Sequence, residues 1–514
     1  MKEIQSLSVV APGFFGLNTQ DSGVTLSSNY ALVADNCVID RLGRMGARKG
    51  AQPLTVNGVA ALNGESVKFM MEHVNALNTT TIISGGNSKL YTGAVTLTDI
   101  TPAGYVVTDD YWVGGTLYDH AMIVQRGHEP LIYNEAATPV LQTMTAFTGN
   151  AQAYGTSYPR DVQAAYGRFW AHDGETIYWS TDIADSAFPS FSAGSSGTLN
   201  VAAVLPNNVD KIVALGAHNG FLIIFCSNNI LLYNGAEDPT TAFKFHDVIA
   251  GVGCIARDSV QATGNDLIFL SETGVRSLGR LIQEKSLPMR DLTKNVRDDI
   301  NLLLQIGRAS DVELRQVKSV YSERNAFYLI SFPVSNIVYC LDMRQALEDG
   351  SSRITRWVDY KVASFLRTRS REVYLGQVNG ISTYAGYLDN TLPYSMRFLS
   401  PFLDMQDSTQ VKILKKITAT VIGGNNQAFI MKAGFDYVEY YDSYAFVIET
   451  QNASEYNNAE YSIGEYTKGS LIAKVDSSVG GSGNVIQIGF ETEIDNAAFS
   501  VQKLDIFMKI GRKI

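Results

Sequence analysis

Short hairpins recur along the chain, with an apolar strand, a polar turn and a second strand that in most copies ends in an aliphatic residue followed by Tyr. The most apolar copy begins at Phe221, turns at residues 227–229 and closes at Tyr233. Seven copies begin at positions 81, 121, 168, 221, 266, 326 and 373, which are 40 to 60 residues apart. The fifth copy departs from the pattern because it ends in Val275, Arg276 and Ser277 without Tyr.

This spacing suits one four-stranded blade per repeat, because the blades of a radial propeller each bury a face against a neighbour. The pattern therefore predicts an all-β fold with a β-propeller of about seven hairpin repeats. An irregular β-sandwich with several similar hairpins is the alternative, although seven copies exceed what an ordinary sandwich needs.

One amphipathic helix interrupts the hairpins in the longest gap between them. Apolar residues recur at helical spacing at Leu292, Val296, Ile300, Leu303 and Leu304. Asp291 is a candidate N-cap and Gly307 a candidate stop, so we predict a helix near residues 291–306 that packs on the propeller.

From about Tyr394 the pattern changes to longer alternating strands, such as residues 417–422 and 485–490. These strands predict a C-terminal β-rich module that resembles a sandwich. Between them Glu precedes Tyr four times, which makes Tyr440, Tyr456, Tyr461 and Tyr466 interface candidates. A polar edge or loop with Tyr rings on a pleated surface is the equally weighted alternative.

Composition narrows the class of protein. The chain has 514 residues, 45% hydrophobic and 18% charged, which indicates a globular chain of about three domain-equivalents. Its formal net charge of −10 argues against a protein that grips nucleic acid with its whole surface. The apolar runs are too short to span a bilayer, and the start of the chain lacks the pattern of a signal peptide, so we expect no membrane anchor.

Local motifs for catalysis or metal binding do not emerge from the sequence. We predict that the four distant cysteines, Cys37, Cys226, Cys254 and Cys340, are buried structural thiols. The six histidines form no metal motif, and His172, Asp173 and Gly174 are typical of a hairpin turn. Carboxylates from separate blades could still converge, as in propeller glycosidases. We nevertheless predict no enzyme, cofactor or metal.

Basic residues cluster near the end of the predicted propeller. Arg367, Arg369 and Arg371 share one face if that segment is extended, and could meet an acidic partner or DNA backbone. A solvated surface is the more ordinary interpretation, because Asp359 and Glu372 lie nearby in the sequence.

The two ends of the chain resemble a known family. The opening has residues 15–21 (FGLNTQD), then Leu26, Ala31 and Asn36, then residues 40–44 (DRLGR) and 48–50 (RKG). The ending has residues 505–509 (DIFMK) followed by Gly511 and Arg512. Together they resemble the tail nozzle, or packaged-DNA stabilisation, proteins of short-tailed bacteriophages.

The resemblance implies a ring, usually of six copies, below the portal and its adaptor protein. Such a ring extends the DNA channel, retains the packaged genome and supports tail fibres or spikes. The resemblance therefore implies a protein of the virion tail that is made in the host cytoplasm. It implies an N-terminal segment for platform or ring contacts (residues 1–55), a propeller (56–393) and a C-terminal module (394–514). A receptor-binding propeller that binds or cleaves glycans is the alternative function, and a monomeric interaction scaffold is a third.

Overall fold

The computed structural model describes residues 4–108, 111–135, 137–144, 158–183, 189–192, 194–201, 204, 210–283, 291–307, 311–405, 407–424, 427–437, 441–448 and 472–513. Within these ranges β-strands dominate, and the few helices are short.

The N-terminal segment forms seven strands, and one helical turn follows it before the first blade begins. These elements are β1 (Ile4–Val10), β2 (Gly16–Leu17), β3 (Tyr30–Ala31), β4 (Val33–Asp35), β5 (Cys37–Ile39), β6 (Met45–Ala47), β7 (Ala51–Pro53) and α1 (Gly58–Leu62). All of these strands except β1 are only two or three residues long.

The seven predicted hairpins are confirmed, and each forms the second and third strands of one propeller blade. Blade 1 has β8 (Phe69–Val74), β9 (Thr80–Gly86), β10 (Lys89–Thr92) and β11 (Thr98–Asp99). Blade 2 has β12 (Trp112–Leu117), β13 (His120–Gln125), β14 (Leu131–Tyr133) and β15 (Leu141–Thr143). Blade 3 has β16 (Asp161–Ala165), β17 (Arg168–His172), β18 (Thr176–Trp179) and β19 (Gly197–Asn200). Blade 4 has β20 (Ile212–His218), β21 (Phe221–Cys226), β22 (Asn229–Asn234) and β23 (Lys244–Ala250).

The second half of the propeller is less regular. Blade 5 has β24 (Gln261–Ala262), β25 (Leu267–Ser271) and β26 (Gly274–Ser277), and is followed by α2 (Leu278–Gln283), α3 (Arg297–Gly307) and α4 (Asp311–Gln316). Blade 6 has β27 (Lys318–Ser322), β28 (Phe327–Phe332), β29 (Ile337–Asp342) and β30 (Arg353–Val358). Blade 7 has β31 (Ser364–Arg367), β32 (Val373–Gln377) and β33 (Gly380–Tyr384), and its fourth strand is β7 from the N-terminal segment.

In the described part of the chain, six blades are separate sheets, and blade 6 belongs to a larger sheet. The first strands of the blades lie side by side around the centre, and β31 of blade 7 packs against β8 of blade 1. Apolar side chains fill the space between neighbouring blades, as Trp170 of blade 3 and Leu222 of blade 4 do in one core. The ring is therefore closed by packing, with β7 completing the last blade.

The recurring Tyr of the hairpins is buried in all six blades that have it. These residues are Tyr91, Tyr133, Tyr178, Tyr233, Tyr339 and Tyr384. A buried Tyr hydroxyl needs a hydrogen-bond partner, and that of Tyr178 donates to Asp173 in the hairpin turn at 2.9 Å. The repeat of Tyr in the sequence is thus a repeat of one position in the core.

Blade 5 has helices where the other blades have a fourth strand. Leu292, Val296, Ile300 and Leu304 are buried in the core as predicted, but only Ile300 and Leu304 lie on the α-helix. The predicted start is wrong: the α-helix begins at Arg297 after a short 3₁₀ turn. The Asp291 carboxylate accepts a hydrogen bond from Arg297 Nε at 3.0 Å, so this acid forms an ion pair with the helix.

The C-terminal module has two facing sheets. Its strands are β34 (Tyr394–Leu399), β35 (Gln410–Gly423), β36 (Ala428–Phe435), β37 (Asp442–Val447), β38 (Ile472–Ser477), β39 (Ser482–Gly483), β40 (Ile486–Ile494) and β41 (Phe499–Lys513). One sheet follows the order β38-β35-β41-β6-β5, with β1 and β39 paired to β41 and β35. The other runs from blade 6 through β4 to β34-β40-β36-β37. Ile417 and Leu504 of the first sheet share one core with Phe429 and Phe490 of the second.

The N-terminal segment joins the propeller to the module. β4 pairs in parallel with β30 of blade 6 and antiparallel with β34 of the module, so one sheet continues across both. β1 pairs with β41 over residues 4–10 and 503–509, and β7 pairs with β33. Residues 4–53 therefore contribute strands to three sheets.

Candidate functional site: a basic pocket on the propeller

A cavity of about 420 Å³ lies at one end of the propeller, where the first strands of several blades begin. Its lining includes the cationic side chains of Arg126, Arg160, Lys211, Arg257, Arg315 and Lys318. Asp258 is the one carboxylate among the described lining residues, so the lining carries a formal charge of +5. This charge contrasts with the net −10 of the whole chain.

Strand beginnings place these cations together. Arg160 and Lys211 directly precede β16 and β20, and Lys318 is the first residue of β27. Because every blade starts with its inner strand, these beginnings lie on the same face of the ring. At blade 5 a 3₁₀ helix, Arg257–Ser259, stands before the two-residue strand β24 and brings Arg257 and Asp258 into the same cavity.

Asp258 is held by two of the cations. Arg257 Nη1 donates to its carboxylate at 2.7 Å, and Lys318 Nζ contacts the other oxygen. Burial alone would raise the pKa of Asp258, but Lys318 and Arg257 lower it below its ordinary value. Arg257 Nε also donates to the buried Asp161 at 2.7 Å. Two cations of the lining, Arg257 and Lys318, therefore already bind a carboxylate of the chain itself, that of Asp258.

His172 lines the pocket as a neutral side chain. It is 1% exposed, and neither ring nitrogen makes a hydrogen bond among the described residues. Burial lowers the pKa of His172 to about 4, although Asp161, 3.8 Å away, acts in the opposite direction. The predicted hairpin turn after it is confirmed, because the Asp173 carboxylate accepts hydrogen bonds from the backbone of Glu175 and Thr176.

Apolar side chains form much of the remaining lining. Tyr111, with Arg315 above its ring at 5.6 Å, lies beside Val113, Ile212 and Leu314. A pocket lined by both cationic and apolar side chains can hold a ligand that carries both anionic and apolar groups. A glycosidase would need a carboxyl group with a raised pKa, whereas Asp258 is ion-paired and its pKa is lowered.

The arginines singled out from the sequence do not share one face. β31 ends at Arg367, and a turn follows in which Arg371 has a positive φ of 63°, so the segment is not extended. Arg367 and Arg371 both pair with Glu323, at 2.9 and 3.2 Å. Arg369 instead contacts Asn78 and lines an open groove beside blade 1.

The tyrosine candidates Tyr440, Tyr456, Tyr461 and Tyr466 lie outside the described residues. The four cysteines are buried and unpaired, as predicted. Burial raises the pKa of Cys226 and of Cys254 to about 12, which keeps both as thiols.

Arg48, in the opening that carries the family resemblance, is fully buried at the junction of segment, propeller and module. Its guanidinium donates to both oxygens of Asp389, at 2.8 and 2.5 Å. It lies 4.1 Å from the ring centre of Tyr360 and 4.0 Å from that of Tyr394. Such a bidentate, aromatic-enclosed site suits Arg and not Lys.

Asp35 forms a second ionic link at this junction. Its carboxylate, 0% exposed, accepts hydrogen bonds from Arg356 of the propeller at 2.8 Å and from Arg397 of the module at 3.0 Å. The N-terminal segment is thus fastened to both neighbours by ion pairs, each with one fully buried member, as well as by strand pairing.

Among the residues that the structure describes, no group of three or more His, Cys, Asp or Glu side chains is placed to hold a metal ion. In the same residues no helix has the length and apolar character to cross a membrane.

The strand pairing places the chain among β-propeller proteins. No protein-family model and no curated protein matches it. It is similar to YCF48 bound to D1 peptide, with 11% identity and a TM-score of 0.37 over 65% of this chain and 94% of that chain. It is similar to the Neurospora crassa Pan2 WD40 domain, with 7% identity and a TM-score of 0.37 over 66% and 94%. It is also similar to the extracellular domain of a putative one component system from B. thetaiotaomicron, with 9% identity and a TM-score of 0.29 over 79% and 48%. Similarities this distant carry no argument about function.

Sequence analysis missed the basic pocket because its cations are isolated along the chain. The hairpin pattern locates the second and third strands of each blade, whereas the pocket lies at the start of the first. A basic residue just before an inner strand, as at Arg160 and Lys211, is the signal that could have identified it.

Proposed function

We propose that this chain is a structural protein of a short phage tail, a nozzle that forms a ring of six copies below the portal and adaptor. The ring extends the DNA channel, retains the packaged genome and supports tail fibres or spikes. In this role the protein catalyses no reaction and needs no cofactor.

The observation that carries the proposal is the position of the residues that resemble the family. Arg48 and its neighbours do not form a detached tail but lock the propeller to the module through ion pairs. A channel wall under the pressure of packaged DNA requires such a joint, because two units joined only by a linker would move independently. Because the residues that resemble the family hold two units together, they support the proposal that the chain is a rigid component of the virion.

Charge gives further support. A conduit should not hold DNA tightly, because each neutralised phosphate adds affinity through counterion release. The chain is acidic overall, and its concentrated positive charge lies in a cavity of about 420 Å³, which is too small to admit a duplex. The pocket can therefore bind other anions without retaining DNA in the channel.

Native mass measurement and low-resolution imaging of the assembled protein test the proposal. We expect a closed six-fold ring, and particles without this protein should lose their genomes. A protein that stays monomeric at high concentration, or particles that retain and eject DNA normally without it, would contradict the nozzle role.

A further inference from the structure

Two parts of this chain have opposite charge and complementary chemistry. The pocket lining carries +5 among its described residues; Asp109 and Asp110, which precede Tyr111 in the sequence, lie outside them. Residues 449–471, also outside the described residues, contain four Glu and one Lys, a formal charge of −3. Three of these Glu residues stand directly before Tyr, so anionic and aromatic groups alternate.

The described strands on either side fix where this Glu-Tyr segment (residues 449–471) leaves and rejoins the module. β37, before it, is the last strand of the sheet shared with blade 6, and β38, after it, is the edge strand of the other sheet. The segment is therefore attached at sheet edges. Twenty-three residues can reach out and return over at most about 40 Å, which is enough to contact a neighbouring copy.

We propose that the basic pocket of one copy binds the Glu-Tyr segment of the next copy in the ring. The inference rests on the ring assembly proposed above and names the contact that builds it. The carboxylates of the segment pair with the cationic side chains of Arg126, Arg160 and Lys211, and its Tyr rings pack on the apolar side chains of the lining.

The make-up of the pocket favours this occupant over a phosphate. Arg257 and Lys318 already hold a carboxylate, that of Asp258, in the wall. The apolar side chains of Tyr111, Val113 and Ile212 would contribute nothing to an inorganic anion, but they match aromatic side chains. Peptides that bind pockets combine charged pairs with such buried aromatic anchors.

Charge reversal on each side tests the contact in the full-length chain. The pocket variant carries Arg126→Glu, Arg160→Glu and Lys211→Glu, and the segment variant carries Glu455→Lys, Glu460→Lys and Glu465→Lys. We expect each variant alone to lower the ring population at least tenfold in sedimentation velocity. A control with the same charge change at exposed lysines, Lys244→Glu, Lys361→Glu and Lys415→Glu, should assemble as the wild type does, and equal melting temperatures would show that all variants fold.

Mixing the two variants separates a contact between copies from one within a copy. In a 1:1 mixture every contact between unlike copies is again complementary, so alternating rings should form. Rings that persist in either variant overturn the inference and leave the nozzle proposal intact. Rescue only when all six changes are in one chain shows a contact within a copy and also overturns it. A monomeric wild type overturns both proposals.

A phosphate-binding pocket gives a different result. Inorganic phosphate or pyrophosphate at millimolar concentration would then bind the wild type and not the pocket variant, while the segment variant would still assemble. That outcome replaces the peptide contact with an anion site.

Discussion

The blades of the propeller and the N-terminal segment differ in how far apart in sequence their paired strands lie. Each blade is a run of hairpins whose strands are neighbours in sequence, such as β21 and β22 of blade 4. The N-terminal strands β4 and β7 instead pair with residues more than 300 positions away. The comparison shows that the repeats supply the bulk of the fold, whereas the segment decides whether propeller and module form one body.

The largest expected effect tests the segment. Arg48→Met leaves Asp389 partly buried without its partner and removes contacts with two Tyr rings. We expect it to lower the free energy of unfolding by about 4 kcal/mol, measured by urea denaturation. Lys89→Met, which breaks an exposed pair with Asp99, is the control and should change little. If both substitutions lowered the free energy of unfolding equally, the proposal that the N-terminal segment holds propeller and module together would be contradicted.

A smaller effect is expected from the core between two blades. Trp170 is fully buried, and its indole donates to the carbonyl of Ala165 at 3.1 Å. Trp170→Ala should lower the free energy of unfolding by about 3 kcal/mol, and Trp170→Phe should cost less. Hydrogen exchange should rise in blades 3 and 4 only, whereas Arg48→Met should raise it in three sheets. Exchange that rises evenly in every blade after Trp170→Ala would argue against local cores.

A third effect, of about the same size as that of Trp170→Ala, concerns pH and blade 3. The pKa of His172 is about 4 in the folded chain and near 6.5 when unfolded. The folded state therefore accepts only the neutral side chain, which is the main form in both states at pH 7. The contribution of this neutral side chain to stability is complete above pH 6.5 and is lost as the pH falls to 4, because the unfolded chain binds the proton first. Wild type should lose about 3 kcal/mol more than His172→Phe between pH 7 and pH 4 in urea titrations. If the free energies of unfolding of wild type and His172→Phe changed in parallel with pH, the buried neutral state of His172 would be contradicted.

Prediction from sequence succeeded where structure is local. The seven hairpins and the burial of Ile300 and Leu304 on α3 follow from spacing alone, and the missing Tyr of the fifth copy marks the blade that has helices. The two-residue strand β2 carries no such pattern, since only its partners β3 and β30 make it a strand. The basic pocket was missed for the same reason, because its charges meet only when blades 2 to 6 are side by side.

The pairing of β1 with β41 means that β1 cannot complete its folding until a distant part of the chain has been translated. Residues 4–10 leave the ribosome long before their partners, residues 503–509, are translated. Hairpins of the blades can form as they emerge, but β1 and β7 must wait for most of the chain. Nascent chains therefore carry unpaired strand edges while the residues between these partners are translated, and such edges are the surfaces that aggregate unless a chaperone shields them.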